Sequence, residues 1–383
     1  MLLAVIVLGT VGVAGAVALL VVVVGTFLPR VPVVGFLGSF LSGQYPVHVL
    51  PASLLEVGAG LGLAALGAPG FGAVVAAVGG VAFLGGCVVL AALSRTARAE
   101  GVRLDGRLAL TALDQSGAPP DATVRYRPGL DLDLWLPPGP GPHPVMVWVH
   151  GGSWVRGART DRARSNRWFA EHGLAVVSVQ YRLPGDAPLP GATLGEAQRD
   201  DVATALAWVR GAGPDHGLDA AAVTLAGQSA GATLALTTAA ALAGVPGATL
   251  AGGTPTPPPA ATVAFYPVVD LRLVAPGLQD AVFGAPARTV PALARAASPT
   301  DLVAATLPPT MLVVGAADNF IRADLVRAHD AALRAAGVPG RLLQVPFADH
   351  VFDRPYGSPG GQIARPAVLA FVRERAWTTT PHP

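Results

Sequence analysis

The chain carries 26 basic and 24 acidic residues, yet only Arg30 and Glu56 of these fall within residues 1–94. Soluble domains keep charge at their surfaces because charged side chains resist burial. So long a run with two charges cannot form the outside of a water-soluble globule. Two physical classes therefore share this chain of 383 residues. Residues 1–94 read as a transmembrane region, and residues 95–383 as a soluble domain.

Residues 1–28 hold no charge and are closed by Pro29-Arg30. About 20 apolar residues span a bilayer, so this run is long enough to cross with tilt. A cleaved signal peptide would normally begin with a positive segment before a shorter apolar core. No Lys or Arg precedes Leu28, so a retained helix is expected. Residues 69–94 form a second span. Residues 50–66 are apolar but shorter and carry Glu56, so the region is expected to hold two or three helices. Glu56 is expected near a helix end, within reach of headgroups; the competing reading is a functional ionisable group inside the segment. Glycines at 58, 60, 62, 79, 80, 85 and 86 would permit close helix approach, but Gly/Ala-rich composition is the reading preferred for them. With three spans, Arg30 and the cluster Arg95, Arg98, Arg103 and Arg107 share one side. The positive-inside rule makes that side, and the soluble domain with it, cytoplasmic. Every basic residue is Arg, which reflects a high-GC genome, so the expected setting is a bacterial cell membrane.

The net charge is +2, and no basic run is interleaved with aromatics, so no nucleic-acid footprint is present. Cys87 is the only cysteine, which excludes an internal disulfide and a cysteine-based metal site.

In the soluble part, residues 121–136 suggest a hairpin, followed by a turn-rich Pro/Gly break at 137–142. Short apolar runs at 145–149, 174–179, 222–226, 261–265, 311–314 and 341–345 have the length of buried strands. Helices are expected between them: from Thr193-Leu194-Gly195-Glu196, spaced as a capping box, to about Arg210, and near 230–243, 320–336 and 363–376. Strands alternating with helices imply the α/β class, a mainly parallel sheet with helices on both faces. Residues 252–259 form a low-complexity loop, and residues 271–300, rich in Ala, Pro and Leu, are expected to cap a pocket.

Gly227-Gln228-Ser229-Ala230-Gly231 stands between a strand-like run and a helix-like run. A serine on such a sharp turn is held strained with its hydroxyl presented outward. A serine hydroxyl needs a base, usually a histidine oriented by a carboxylate. Active groups in such sheets sit at the carboxyl ends of strands. Asp318 follows the run 311–314, and His350 follows 341–345. His150-Gly151-Gly152-Ser153-Trp154 follows 145–149, where the backbone of Gly151 and Gly152, with the N–H of Ala230, would form an oxyanion hole. Rival carboxylates are Asp301, Asp324 and Asp349, of which Asp301 is the most serious. His150 is expected to hold its loop rather than act as base. His172, His216 and His329 are expected at solvated positions.

These residues, with Tyr181-Arg182-Leu183 and Phe265-Tyr266-Pro267-Val268-Val269-Asp270, resemble the α/β-hydrolase superfamily over about 120–376. The branch they look most like is the esterase/lipase group that includes hormone-sensitive-lipase-like enzymes. Ser153 stands where that branch often has a third glycine; the resulting pattern is similar to feruloyl-esterase-like and kynurenine-formamidase-like relatives. The resemblance implies ester cleavage through an acyl-enzyme, with catalytic Ser229, Asp318 and His350 and oxyanion donors Gly151, Gly152 and Ala230. It implies no cofactor or metal. The expected partners are a small-molecule or lipid ester and membrane lipid. The alternatives are an amidase or formamidase on the same triad, or a silent hydrolase fold serving as an interaction platform.

Overall fold

The computed structural model describes residues 2–111, 117–252 and 255–377. Gly253 and Thr254 of the low-complexity loop lie outside the described residues. The chain divides into two compact units. The first is Met1–Gln115 with Gly315–Arg322 and Gln344–Pro366; the second is Ser116–Val314, Ala323–Leu343 and Ala367–Pro383.

The first unit opens with helices α1 (Leu2–Phe27), α2 (Val34–Gln44), α3 (Pro46–Ala65), α4 (Pro69–Ala99) and the short α5 (Gly106–Leu110). Three helical stretches, Val5–Phe27, Pro46–Ala65 and Pro69–Ala99, are long and apolar enough to cross a membrane. α4 runs past residue 94 and carries Arg95 and Arg98 on its last turns. Its 31 residues extend about 46 Å at 1.5 Å per residue, beyond the roughly 30 Å hydrocarbon thickness. Prolines at the first positions of α3 and α4 suit helix starts, where the missing N–H has no acceptor to lose.

Two expectations for this region are corrected. Glu56 is not near an end of α3. It lies mid-helix, buried, and a Cβ built on Gly15 of α1 would collide with its carboxylate. Nor is composition sufficient for all the glycines. Gly60 and Gly79 of α3 and α4 pack on the facing helix's backbone, so that a side chain there would force the helices apart. Gly58 and Gly80 meet nothing, as composition alone would have it.

The sheet has eight strands in the order β1-β2-β4-β3-β5-β6-β7-β8. They are β1 (Ala122–Arg127), β2 (Leu130–Trp135), β3 (His143–Val149), β4 (Ala175–Val179), β5 (Leu218–Gln228), β6 (Ala261–Phe265), β7 (Thr310–Gly315) and β8 (Gly340–Val345). The β1-β2 hairpin is antiparallel and joins β4 antiparallel; β4, β3, β5, β6 and β7 run parallel to one another. The central strands are apolar at successive positions because helices cover both faces.

Interleaved with the strands are α6 (Ala163–Glu171), α7 (Leu194–Gly211), α8 (Ala230–Leu242), α9 (Pro276–Phe283), α10 (Pro291–Ala296), α11 (Ala323–Ala335) and α12 (Pro359–Ala376). One core joins Val145, Val147 and Val149 of β3 to Val202, Leu206 and Val209 of α7 and Leu234 of α8. The capping box that opens α7 is formed, with Thr193 and Glu196 exchanging backbone bonds. The segment 271–300 folds into short helices, and its Val282, Phe283 and Ala294 join the same core.

Candidate active site

Ser229 sits between β5 and α8 with φ 51° and ψ −121°, a conformation costly for any residue with a side chain. Two neighbours hold it there. Its N–H donates to the Phe265 carbonyl of β6 at 2.9 Å, and its carbonyl accepts from Thr233 N at 3.1 Å. The glycine at 231 is required by space: a Cβ there would collide with the Val149 and His150 carbonyls at the end of β3. The turn can therefore approach β3 only without a side chain. Ala230 opens α8, where first-turn N–H groups have no acceptor within the helix.

The loop after β3 is equally constrained. Gly152, Ser153 and Trp154 all have positive φ, at 126°, 54° and 65°. Ser153 thus takes the left-handed backbone that a third glycine would adopt without strain, at a cost on the order of 1 kcal/mol. The loop is tied down by groups to which the sequence assigned no role. Trp154 is buried in the core, and its carbonyl accepts from Gln198 Nε2 at 2.8 Å. Tyr181 stacks on His150 with ring centroids 4.1 Å apart, and its hydroxyl donates to the His150 carbonyl at 3.0 Å. Arg182 grips the buried Asp201 by two bonds of 2.7 and 2.6 Å. Tyr181 is thus a buttress for the glycine loop, while Arg182 ties the segment after β4 to α7. His150 is fully buried, and its Nδ1 is 2.8 Å from the Gly151 carbonyl. Burial lowers its pKa, and the bond to that carbonyl opposes the shift only in part, so it stays neutral. It is a structural group of the loop.

In the first unit, His350 Nδ1 lies 2.9 Å from Asp318 Oδ2. The Asp318 side chain is fully buried, and its other oxygen accepts from Phe320 N at 2.9 Å and Ile321 N at 2.7 Å. With the Asp318 carboxylate as acceptor, Nδ1 is the donor nitrogen of the ring and Nε2 its acceptor. The rivals are engaged elsewhere: Asp301 pairs with Arg272 at 3.0 Å, and Asp349 accepts from Asn319 and from the His350 backbone N–H, not from its ring. Asp324 lies in the first turn of α11. Thus the structure brings Asp318 and His350 into contact, and Gly151 within 3.3 Å of the Ser229 Cβ, measured from a Cβ built on the glycine. One expectation fails nearby. His329 is not solvated but buried on α11, where desolvation pulls its pKa down to about 4.

The BD-FAE family model matches residues 132–332, just over half of the chain. Esterase LipQ of Mycobacterium tuberculosis (strain ATCC 25618 / H37Rv) is 30% identical over 243 residues, covering 58% of this chain and 54% of LipQ. Esterase LipC of the same organism is 30% identical over 265 residues, covering 63% and 62%. The chain thus spans less than two thirds of the length of either. The probable N-octanoylanthranilate hydrolase AqdA2 of Rhodococcus erythropolis is 43% identical over 96 residues, 24% of this chain and 21% of AqdA2. The propionate-bound esterase 2 of the Planctomycetes species Thermogutta terrifontis superposes with a TM-score of 0.55 at 23% identity, over 70% of this chain and 98% of that one. With its mainly parallel sheet and strained serine turn, the chain belongs to the BD-FAE family of α/β-hydrolases, within the esterase/lipase group.

Proposed function

We propose that the chain is a membrane-anchored serine hydrolase that cleaves carboxylic esters, with residues 1–94 as membrane region and 95–383 as hydrolase domain. The observation that carries this reading is the His350–Asp318 bond, in a chain whose relatives include esterases LipQ and LipC. His350 Nε2 takes the proton of the Ser229 hydroxyl as Oγ attacks the ester carbonyl. Backbone N–H groups of Gly151, Gly152 and Ala230 stabilise the resulting oxyanion. Collapse of the tetrahedral adduct breaks the bond to the alkoxy oxygen, which receives the proton from His350 and departs as the alcohol. Water, deprotonated by His350, then releases the acid and restores Ser229. Asp318 orients the ring and stabilises its cation at both steps.

Membrane anchoring is supported by where apolar surface is left uncovered. Among the described residues, the large exposed apolar side chains fall within residues 3–88, apart from Leu110, Leu273 and Phe320. So extended an apolar surface fits lipid. Three spans would place Arg30 and Arg95 on one side, which the positive-inside rule makes cytoplasmic. Phe320, 68% exposed with its ring 5.4 Å from that of His350, supports a lipophilic acyl group.

The test compares hydrolysis of p-nitrophenyl esters of rising chain length by the membrane-embedded protein and its Ser229→Ala variant. Turnover that disappears in the variant supports the reading; unchanged turnover sinks it. Amide cleavage is a second reading, favoured by the 96-residue likeness to AqdA2, whose name denotes an N-acyl substrate. Equal or faster release of anthranilate from N-octanoylanthranilate than of p-nitrophenol from the octanoate ester would favour it.

A further inference from the structure

The two loops that carry Asp318 and His350 are stitched together by a third, buried carboxylate. Asp349 Oδ1 accepts from Asn319 N at 2.9 Å and His350 N at 2.6 Å, and Oδ2 accepts from Asn319 Nδ2 at 2.7 Å. It therefore joins the residue after Asp318 to the backbone of the base itself. Fully buried, the carboxylate needs donors such as these.

A further donor comes from the apolar N-terminal region. The Ser39 hydroxyl of α2 bonds to Asp349 Oδ2, and both residues are fully buried. Ser39 Oγ also accepts from Asn319 Nδ2 at 2.9 Å. Its single proton has a second acceptor in reach, the Gly35 carbonyl at 2.7 Å. The carboxylate is the stronger of the two because the bond to it is charge-assisted. α2 reaches the same loops at three more points. Gln44 Nε2 donates to the His350 carbonyl at 3.4 Å. The Phe36 ring meets the Phe320 ring edge-on at 5.9 Å. Gly43 packs so closely on the Phe347 carbonyl that a Cβ there would collide with it.

A segment that served only as an anchor would have no need of a buried hydroxyl aimed at the loop of the base. We propose that Ser39 is a positioning residue for the acid–base pair, acting through Asp349, so that the N-terminal helices are a working part of the catalytic apparatus. The proposal rests on the serine-hydrolase reading above. Without the hydroxyl, Asp349 loses one of the two donors to its Oδ2 and keeps only Asn319 Nδ2 there, so its hold on Asn319 and the His350 N–H loosens. Both loops are then held less firmly by their common anchor, and the imidazole is less well aimed. A misplacement of about 1 Å costs on the order of a hundredfold in rate.

The experiment uses the full chain in membranes, with a p-nitrophenyl ester and a fluorophosphonate. Ser39→Ala is expected to lower kcat at least about tenfold with KM unchanged, and to slow fluorophosphonate labelling by the same factor. Asp349→Asn is expected to give a similar loss, and the double variant no more than the larger single loss, because both act on one linkage. Turnover of Ser39→Ala within twofold of the parent overturns the proposal, as do losses that multiply in the double variant. Should Ser39→Ala fail to fold, Ser39→Cys, similar in size with a weaker donor, carries the same test. A lower kcat at constant KM supports the proposal and an unchanged kcat overturns it. Ser229→Ala, run beside these, separates the two readings. Its loss of turnover with Ser39→Ala intact would refute only the role of Ser39, whereas retained turnover would refute the hydrolase mechanism itself.

Discussion

Replacing Asp318 by Asn keeps shape and volume but reverses one hydrogen bond, and the structure dictates which one. Asp318 Oδ1 accepts from two backbone donors, Phe320 N at 2.9 Å and Ile321 N at 2.7 Å. In the Asn variant the amide oxygen must occupy that position, since an NH2 facing two N–H groups would leave three donors and no acceptor. The NH2 then stands where Oδ2 was, 2.9 Å from His350 Nδ1. A donor there demands an unprotonated Nδ1, which moves the ring proton to Nε2. The nitrogen meant to accept the serine proton then already carries one. A wrong tautomer of this kind costs about 10⁴-fold in kcat in the Ser-His-Asp template, or roughly 5.5 kcal/mol at about 1.4 kcal/mol per decade. The assay is steady-state hydrolysis of a p-nitrophenyl ester beside a thermal melt that confirms folding. KM should stay near that of the parent. A folded Asp318→Asn protein losing less than about tenfold in kcat would refute the tautomer argument and remove Asp318 from the mechanism.

Other changes separate structure from chemistry. His329 is buried with a pKa near 4, against 6.5 when unfolded, so the unfolded chain binds the extra proton between those values. Stability is full above about pH 6.5 and falls by roughly 3 kcal/mol as the pH drops to 4; in His329→Leu the fall should be smaller by about that amount in denaturant titrations. Gly231→Ala forces a methyl against the end of β3 and should cost about 1–3 kcal/mol, read as a lower melting temperature, with slower fluorophosphonate labelling. Asp301→Asn removes a partly exposed pair with Arg272 and should change stability by less than about 1 kcal/mol and kcat by less than twofold. A large loss of kcat there would restore Asp301 as the rival acid.

What the sequence made legible was local. Ser229, Asp318 and His350 each follow a short apolar strand within a few residues, so the placement of these candidate residues could be read from the strands. The box at Thr193 and Glu196 is a four-residue signal, and it formed. What was not legible depends on distance along the chain or on helix faces. Ser39 and Asp349 are 310 positions apart, and nothing near either marks the other. α2 was missed because 11 residues rich in Gly and Ser are too few to span a bilayer and too plain to read as a surface helix. His329 could have been placed correctly: Val326 and Leu333, three and four residues to either side, put it on the buried stripe of α11. Glu56 was misplaced because hydropathy fixes the ends of a span poorly, and only the facing Gly15 reveals the room made for its side chain. The Tyr181-Arg182 pair signalled itself as a motif, but that Tyr181 braces His150 and Arg182 grips Asp201 needed the positions of those partners.

The most direct measurement is to label the full chain, reconstituted in lipid vesicles, with a fluorophosphonate, digest it, and locate the adduct by mass spectrometry. A single phosphonyl group on Ser229, formed in step with loss of ester hydrolysis, is the result expected. Hydrolysis that continues with Ser229 fully modified, or an adduct on another residue that accounts for the inactivation, would contradict the serine mechanism.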